Sequence, residues 1–142
     1  MKTDKKAIFS WIAVFLCMAV IFILSAQKAD DSQNLSDSLI IFFGLRLSSD
    51  FVRTCAHFLE YAGLSVLVYN ALYQSLGCAK PVLSVVICSV YAVSDEVHQL
   101  FVEGRACQIT DIITDSAGAM AGIAVLSAII FVFRKIKRRT QV

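Results

Sequence analysis

One proline, six glycines and a charged fraction of 17% leave this 142-residue chain short of turn formers and short of charge. A soluble domain carries about a quarter charged residues, so the shortage excludes water as the solvent for most of the sequence. What replaces the charge is apolar bulk: 58% of residues are hydrophobic and the mean hydropathy is +0.72. The chain reads as a membrane protein whose first partner is the lipid bilayer. A net charge of +2 is too small to recruit nucleic acid. No internal repeat, low-complexity tract or hydrophilic stretch offers room for a separate soluble catalytic domain. Any chemistry must sit among the helices or at their ends.

Four runs, 7–26, 61–79, 82–94 and 116–133, contain no charge at all. About 20 residues at ~1.5 Å each cross a ~30 Å hydrocarbon core. With their flanks, the runs predict an all-α integral membrane bundle, one domain over 1–142, with transmembrane helices at about 7–26, 53–76, 82–101 and 112–133. The first run is longer than the ~7–15 apolar residues of a cleaved signal, and Leu24 stands where cleavage after Ala26 would want a small residue. Gly77, Lys80 and Pro81 mark a tight connection between the second and third helices. Between the first two, Leu35, Leu39, Phe42 and Phe43 recur at helical spacing. Asn34 and Asp37 could cap that segment and Gly44 could close it. It reads as a short extracytoplasmic helix lying at the interface, apolar side down.

An even number of spans puts both termini on one side. That side carries nine lysines and arginines against the single Asp4, whereas the other carries four basic residues, among them Arg46, against ten acidic ones, among them Asp30 and Asp31. Basic segments resist translocation, so both termini, Lys2 included, are expected in the cytoplasm and the Arg105 loop outside.

The ionisable residues within the spans converge. Arg53, His57 and Glu60 form one stripe on the second helix, with Tyr61 beside it. Asp95, Glu96, His98 and Gln99 crowd the end of the third; Asp111 and Asp115 stand one turn apart at the start of the fourth; Arg105 lies in the loop between. Ser25 and Gln27 close the first helix. All fall toward the outer leaflet. Glu60, Asp95 and Asp115 each lie about 6–9 Å inside the boundary, too deep for three carboxylates to face lipid, so they are expected to share one cavity. Gly118 and Gly122 continue the Asp111–Asp115 face with small-xxx-small spacing, making the acidic face the packing face. Ion pairs such as Arg53–Asp95 or Arg105–Asp111 would serve a purely structural network. The excess of carboxylates would otherwise hold protons, charge the histidines or bind a divalent cation. No cofactor is evident, and neither histidines nor cysteines show zinc spacing. Of five cysteines, only Cys55 and Cys107 lie on the disulfide-permissive side; free thiols are the commoner outcome for such residues.

Four segments, Ser25–Ala26–Gln27, RTCAHFLEY at 53–61, SDEVHQLFVEG at 94–104 with Arg105, and DIITDSAGAMAG at 111–122, together resemble the VanZ-like family of small bacterial membrane proteins. Two positions depart from its pattern: Glu103 where proline is frequent, and Asp115 where asparagine is often found. The resemblance implies a multi-pass bacterial cell-membrane protein linked to resistance to the glycopeptide teicoplanin, without an established molecular activity to carry over. On the residues themselves, the leading expectation is a surface-facing protein that binds or modifies an anionic outer-leaflet envelope lipid or cell-wall precursor. Arg53 and Arg105 would hold the anion, and His57, Glu60, Asp95 and Glu96 would serve proton transfer or polar binding. A phosphatase of the lipid-phosphate type is suggested only by His98 with Arg105 and Asp111, and its serine-glycine-histidine segment is missing. A partner-binding module whose polar cluster fixes packing, and a small proton-coupled transporter, are the rivals; against the transporter, coupling carboxylates usually lie nearer the midplane. Substrate, catalytic role and oligomeric state are not legible.

Overall fold

The computed structural model describes residues 5–44 and 47–139. Lys2, Asp4 and Arg46, and the side chains of Asp30, Asp31, Leu39 and Phe43, lie outside the described residues. Five helices and, among the described residues, no strands make up the fold: α1 (Lys5–Ser25), α2 (Ala29–Phe43), α3 (Ser49–Leu76), α4 (Pro81–Gln99) and α5 (Ile109–Arg139).

Local chemistry sets the ends. The Ser48 hydroxyl accepts from the Phe51 N–H at 3.3 Å and Asp50 sits in the first turn, so α3 starts four residues ahead of the expected 53. Gly77 stops it in the left-handed region at φ 69°, and Pro81 opens α4 at a position that has no need of its N–H. The segment between α1 and α3 is longer than its spacing suggests. It begins at Ala29 without a side-chain cap, which puts both expected capping residues inside the helix. The Asn34 backbone carbonyl accepts from Ser38 at 2.8 Å, and the Asp37 carboxylate accepts from Ser49 at the head of α3. Gly44 closes it at φ 62°, as its position suggests. α5 runs six residues past the expected 133, through Lys137, Arg138 and Arg139, whose charges favour a helix C-terminus.

α1, α4 and α5 are long and apolar enough to cross a membrane. α3 has the length, at 28 residues, but carries Asp50, Arg53 and Glu60. Its place explains its composition. α3 packs against every other helix, most of all α5, and buries Tyr61, Leu64, Ser65, Val68, Ala71 and Leu72. A helix ringed by protein needs less apolar surface than one ringed by lipid. Phe9, Leu16 and Ile23 of α1 and Phe131 and Phe133 of α5 are exposed instead, forming the apolar outside.

The α3–α5 contact is a backbone contact. A Cβ built on Gly118 would stand 2.2 Å from the Phe58 carbonyl oxygen, and one on Gly122 would stand 2.3 Å from that of Ala62. The small-xxx-small spacing read from the sequence is what admits this approach. α1 is fastened by side chains: Trp11 Nε1 donates to Ser75 Oγ at 3.0 Å, Asn70 Nδ2 to Ser10 Oγ at 2.9 Å, and Tyr91 Oη to the Met18 carbonyl at 2.7 Å. Tyr91→Phe removes the last of these, and a melting curve in detergent is expected to show a loss of about 0.5–1.5 kcal/mol.

Candidate functional site

The last turn of α1, the underside of α2, the first half of α3 and the loop 100–108 enclose a cavity of about 90 Å³. Ile21, Leu24, Leu35 and Val52 supply its apolar wall, and Ser25, Gln27, Ser36, Arg53, His57, Glu60 and Arg105 its polar one. Helical periodicity delivers Arg53, His57 and Glu60 to one face. Arg105 arrives from the loop, where its Nε donates to the Gln27 carbonyl at 3.2 Å. Lys28 pairs with Glu103 across the same junction. Among the described residues, Arg53 makes its ion pair with the exposed Asp50, at 3.5 Å. Neither Arg53–Asp95 nor Arg105–Asp111 forms an ion pair among the described residues. Asp95 is sealed at 2% exposure, and Arg105 is turned toward the end of α1. Burial, and the Arg53 charge beside it, push Arg105 below the ordinary guanidinium value. An arginine stays protonated even so, and two neighbouring cations on one cavity wall make a seat for an anion.

Behind the cavity lies a buried polar layer. Asp115 and Glu96 are fully buried, Gln99 and Asp95 nearly so. The adjacent carboxylates of α4 have opposite fates. Glu96 accepts from Gln99 Nε2 at 3.0 Å and from the backbone N–H of Gln108 at 2.8 Å, tying α4 to the start of α5. Asp95 has Ser25 and Gln99 as neighbours, but no aligned donor reaches either of its oxygens. Asp115 lies with Oδ1 3.5 Å from His57 Nδ1, too poorly aligned for a hydrogen bond. Ser25 Oγ, Tyr61 Oη, His57 Nδ1, His98 Nδ1 and all four oxygens of Asp95 and Asp115 are buried without a hydrogen-bond partner. Such atoms cost ~1–3 kcal/mol each when left unpaired, and their concentration on α1, α3, α4 and α5 marks a place built for water, protons or a ligand.

The sequence candidates thus separate into layers. Arg53, His57, Glu60 and Arg105 line the cavity. Asp111 shares a narrow crevice with Arg53 and His57. Asp95, Glu96, Gln99 and Asp115 form the inner layer, so of the three carboxylates expected in one cavity only Glu60 lines it. His98 stands apart, its ring 4.2 Å from that of Phe22. No group of three or more His, Cys, Asp or Glu among the described residues is arranged to hold a metal ion. All five cysteines are free. Sequence reasoning missed the part played by α2: Ser32 and Ser36, one turn apart, face the cavity, and Ser36 is buried, while Ile41 and Phe42 point outward. A serine pair at i, i+4, interleaved with Leu35, was the available signal.

A family model described as VanZ/LLP1 matches residues 9–133. No curated protein and no solved structure matches the chain.

Proposed function

Because this chain belongs to the VanZ/LLP1 family, we propose that it is a bacterial cell-membrane protein that binds or modifies an anionic outer-leaflet envelope lipid or cell-wall precursor. Its physiological readout would be altered resistance to teicoplanin-type glycopeptides. In this reading α1, α3, α4 and α5 all span the bilayer, α2 lies on its outer surface, and both termini are cytoplasmic. The observation that carries the reading is the pairing of Arg53 and Arg105 on one small cavity without an ion pair joining either to Asp95 or Asp111. Both side chains are half-buried, Arg53 beside Asp50 and Arg105 on the Gln27 carbonyl; a phosphate headgroup would engage the guanidinium donors that these contacts leave over.

Orientation is tested at Cys107, which is free and exposed. A membrane-impermeant maleimide is expected to label it in intact cells; labelling only after permeabilisation would put the cavity on the cytoplasmic side and remove the outer-leaflet ligand. Comparison of envelope lipids and wall precursors between a deletion strain and its parent then identifies the class affected.

A second reading, a partner-binding module with a purely structural network, draws on Glu96 and Arg105, both of which hold backbone groups of neighbouring segments. It predicts that every loss of phenotype is matched by loss of folded protein.

A further inference from the structure

We propose that His57 and Asp115 form the base dyad of a phosphohydrolase that removes the terminal phosphate of a membrane lipid seated between Arg53 and Arg105; this rests on the anionic-lipid reading above. A carboxylate stands behind the ring of His57. Nδ1 is buried and lies 3.5 Å from the Asp115 carboxylate, itself wholly buried, while the residue borders the cavity. Nε2 is therefore the nitrogen left for the cavity side, and closing the gap between Nδ1 and Asp115 would hold the tautomer whose Nε2 lone pair is free. The distance is longer than a working hydrogen bond, as in many ligand-free sites that tighten around substrate. Glu60 lines the same cavity one turn along α3.

Size selects the reacting group. At ~30 Å³ per water molecule, about 90 Å³ gives room for one phosphoryl group, with the rest of a larger headgroup left at the cavity mouth. The wall formed by Ile21, Leu24 and Leu35 gives the first carbons of the lipid an apolar exit.

The step needs only water. Its oxygen attacks the terminal phosphorus while one of its protons passes to Nε2 of His57. The bond from phosphorus to the lipid-side oxygen breaks, the electron pair leaves on that oxygen, and protonated Glu60 supplies its proton. His57 then returns its proton to the Glu60 carboxylate. The products are inorganic phosphate and the lipid alcohol, or the lipid monophosphate where the substrate is a diphosphate. Asp115 touches neither phosphate nor water and is a positioning residue.

The test uses purified full-length protein in detergent micelles with two lipid probes, farnesyl diphosphate and dioctanoyl phosphatidic acid, and a soluble one, p-nitrophenyl phosphate. Release of inorganic phosphate from a lipid probe, at least tenfold faster than from the soluble ester, is the expected result. His57→Gln should lower kcat by ~10²–10⁴-fold with KM within about twofold, and Asp115→Asn should lower kcat with KM likewise unchanged. His57→Asn and melting curves separate lost chemistry from lost fold. Binding is read independently with farnesyl methylenediphosphonate, which cannot be hydrolysed at its bridge. Binding without phosphate release, or release that survives both His57 substitutions, overturns the dyad and leaves the anionic-lipid reading standing. No binding of the phosphonate and no release overturns both. Release from the soluble ester alone overturns the lipid as substrate.

Discussion

Leucine at Gly122 is expected to abolish the folded bundle. A side chain there begins 2.3 Å from the Ala62 carbonyl oxygen and 2.6 Å from Ser65 Oγ. The carbonyl belongs to the backbone of α3 and cannot rotate away, so α3 and α5 must separate along the most extensive helix contact in the molecule. Overpacking by a methylene or two costs ~1–3 kcal/mol where neighbours can shift; here the neighbour is a rigid helix, and a total stability of ~5–15 kcal/mol leaves little to lose. Alanine at Gly118 or Gly122 should already cost the upper part of that range. Gly63→Ala is the control, because a Cβ there meets nothing within 4 Å. Removing a helical glycine should leave stability unchanged or raise it by up to ~1 kcal/mol. Monodispersity on gel filtration and melting in detergent check all four variants. A well-folded Gly122→Leu protein would mean that the helices do not approach as described.

The second large effect falls on the ligand. Among the described residues Arg53 pairs with the exposed Asp50, so Arg53→Ala removes a cation from the cavity at small structural expense. A charge-assisted contact is worth ~1.5–3 kcal/mol, and affinity for a lipid phosphate should fall roughly 10- to 100-fold. Arg105→Lys keeps the charge but loses the planar fork and the Nε contact to Gln27. Asp95→Asn keeps the shape and loses the charge. Both are expected to abolish any glycopeptide-resistance phenotype while membrane abundance and melting temperature stay near the parent. Binding to vesicles containing phosphatidic acid, together with quantitative immunoblots of membranes, checks the set. Phenotype lost in step with abundance would favour the structural module.

Apolar runs made α1 and α5 legible in the sequence, because a lipid-facing helix must be apolar along its whole length. The glycine spacing of α5 revealed its packing face for a similar reason: little else explains Gly118 and Gly122 behind Asp115. Rotation and approach were not legible. Asp95 and Glu96 are neighbours of identical charge, yet only Glu96 meets the N–H of Gln108, a difference decided by where α5 arrives. Pairing Arg53 with Asp95 fails because shared depth says nothing about which way each helix turns. The length of α2 was hidden because Asn34 and Asp37 look like a cap; Asp37 instead reaches forward to Ser49, a contact made only once α3 has folded back beneath it. The sequence brings the candidate site residues to one end of the helices, but their division into cavity wall and inner layer depends on tertiary packing.

The tie from Glu96 to Gln108, and the burial of Asp95 beside it, also bear on the order in which the bundle comes together. α5 follows α1–α4 in the chain. Until the segment from Gln108 onward docks, Glu96 lacks its backbone donor, Asp115 is missing from the layer, and the carbonyls of Phe58 and Ala62 lack the glycines that pack on them. Polar groups left unpaired inside protein are costly, so α1–α4 without α5 form an unfinished assembly. The inner wall of the cavity is complete only once α5 has closed on α3.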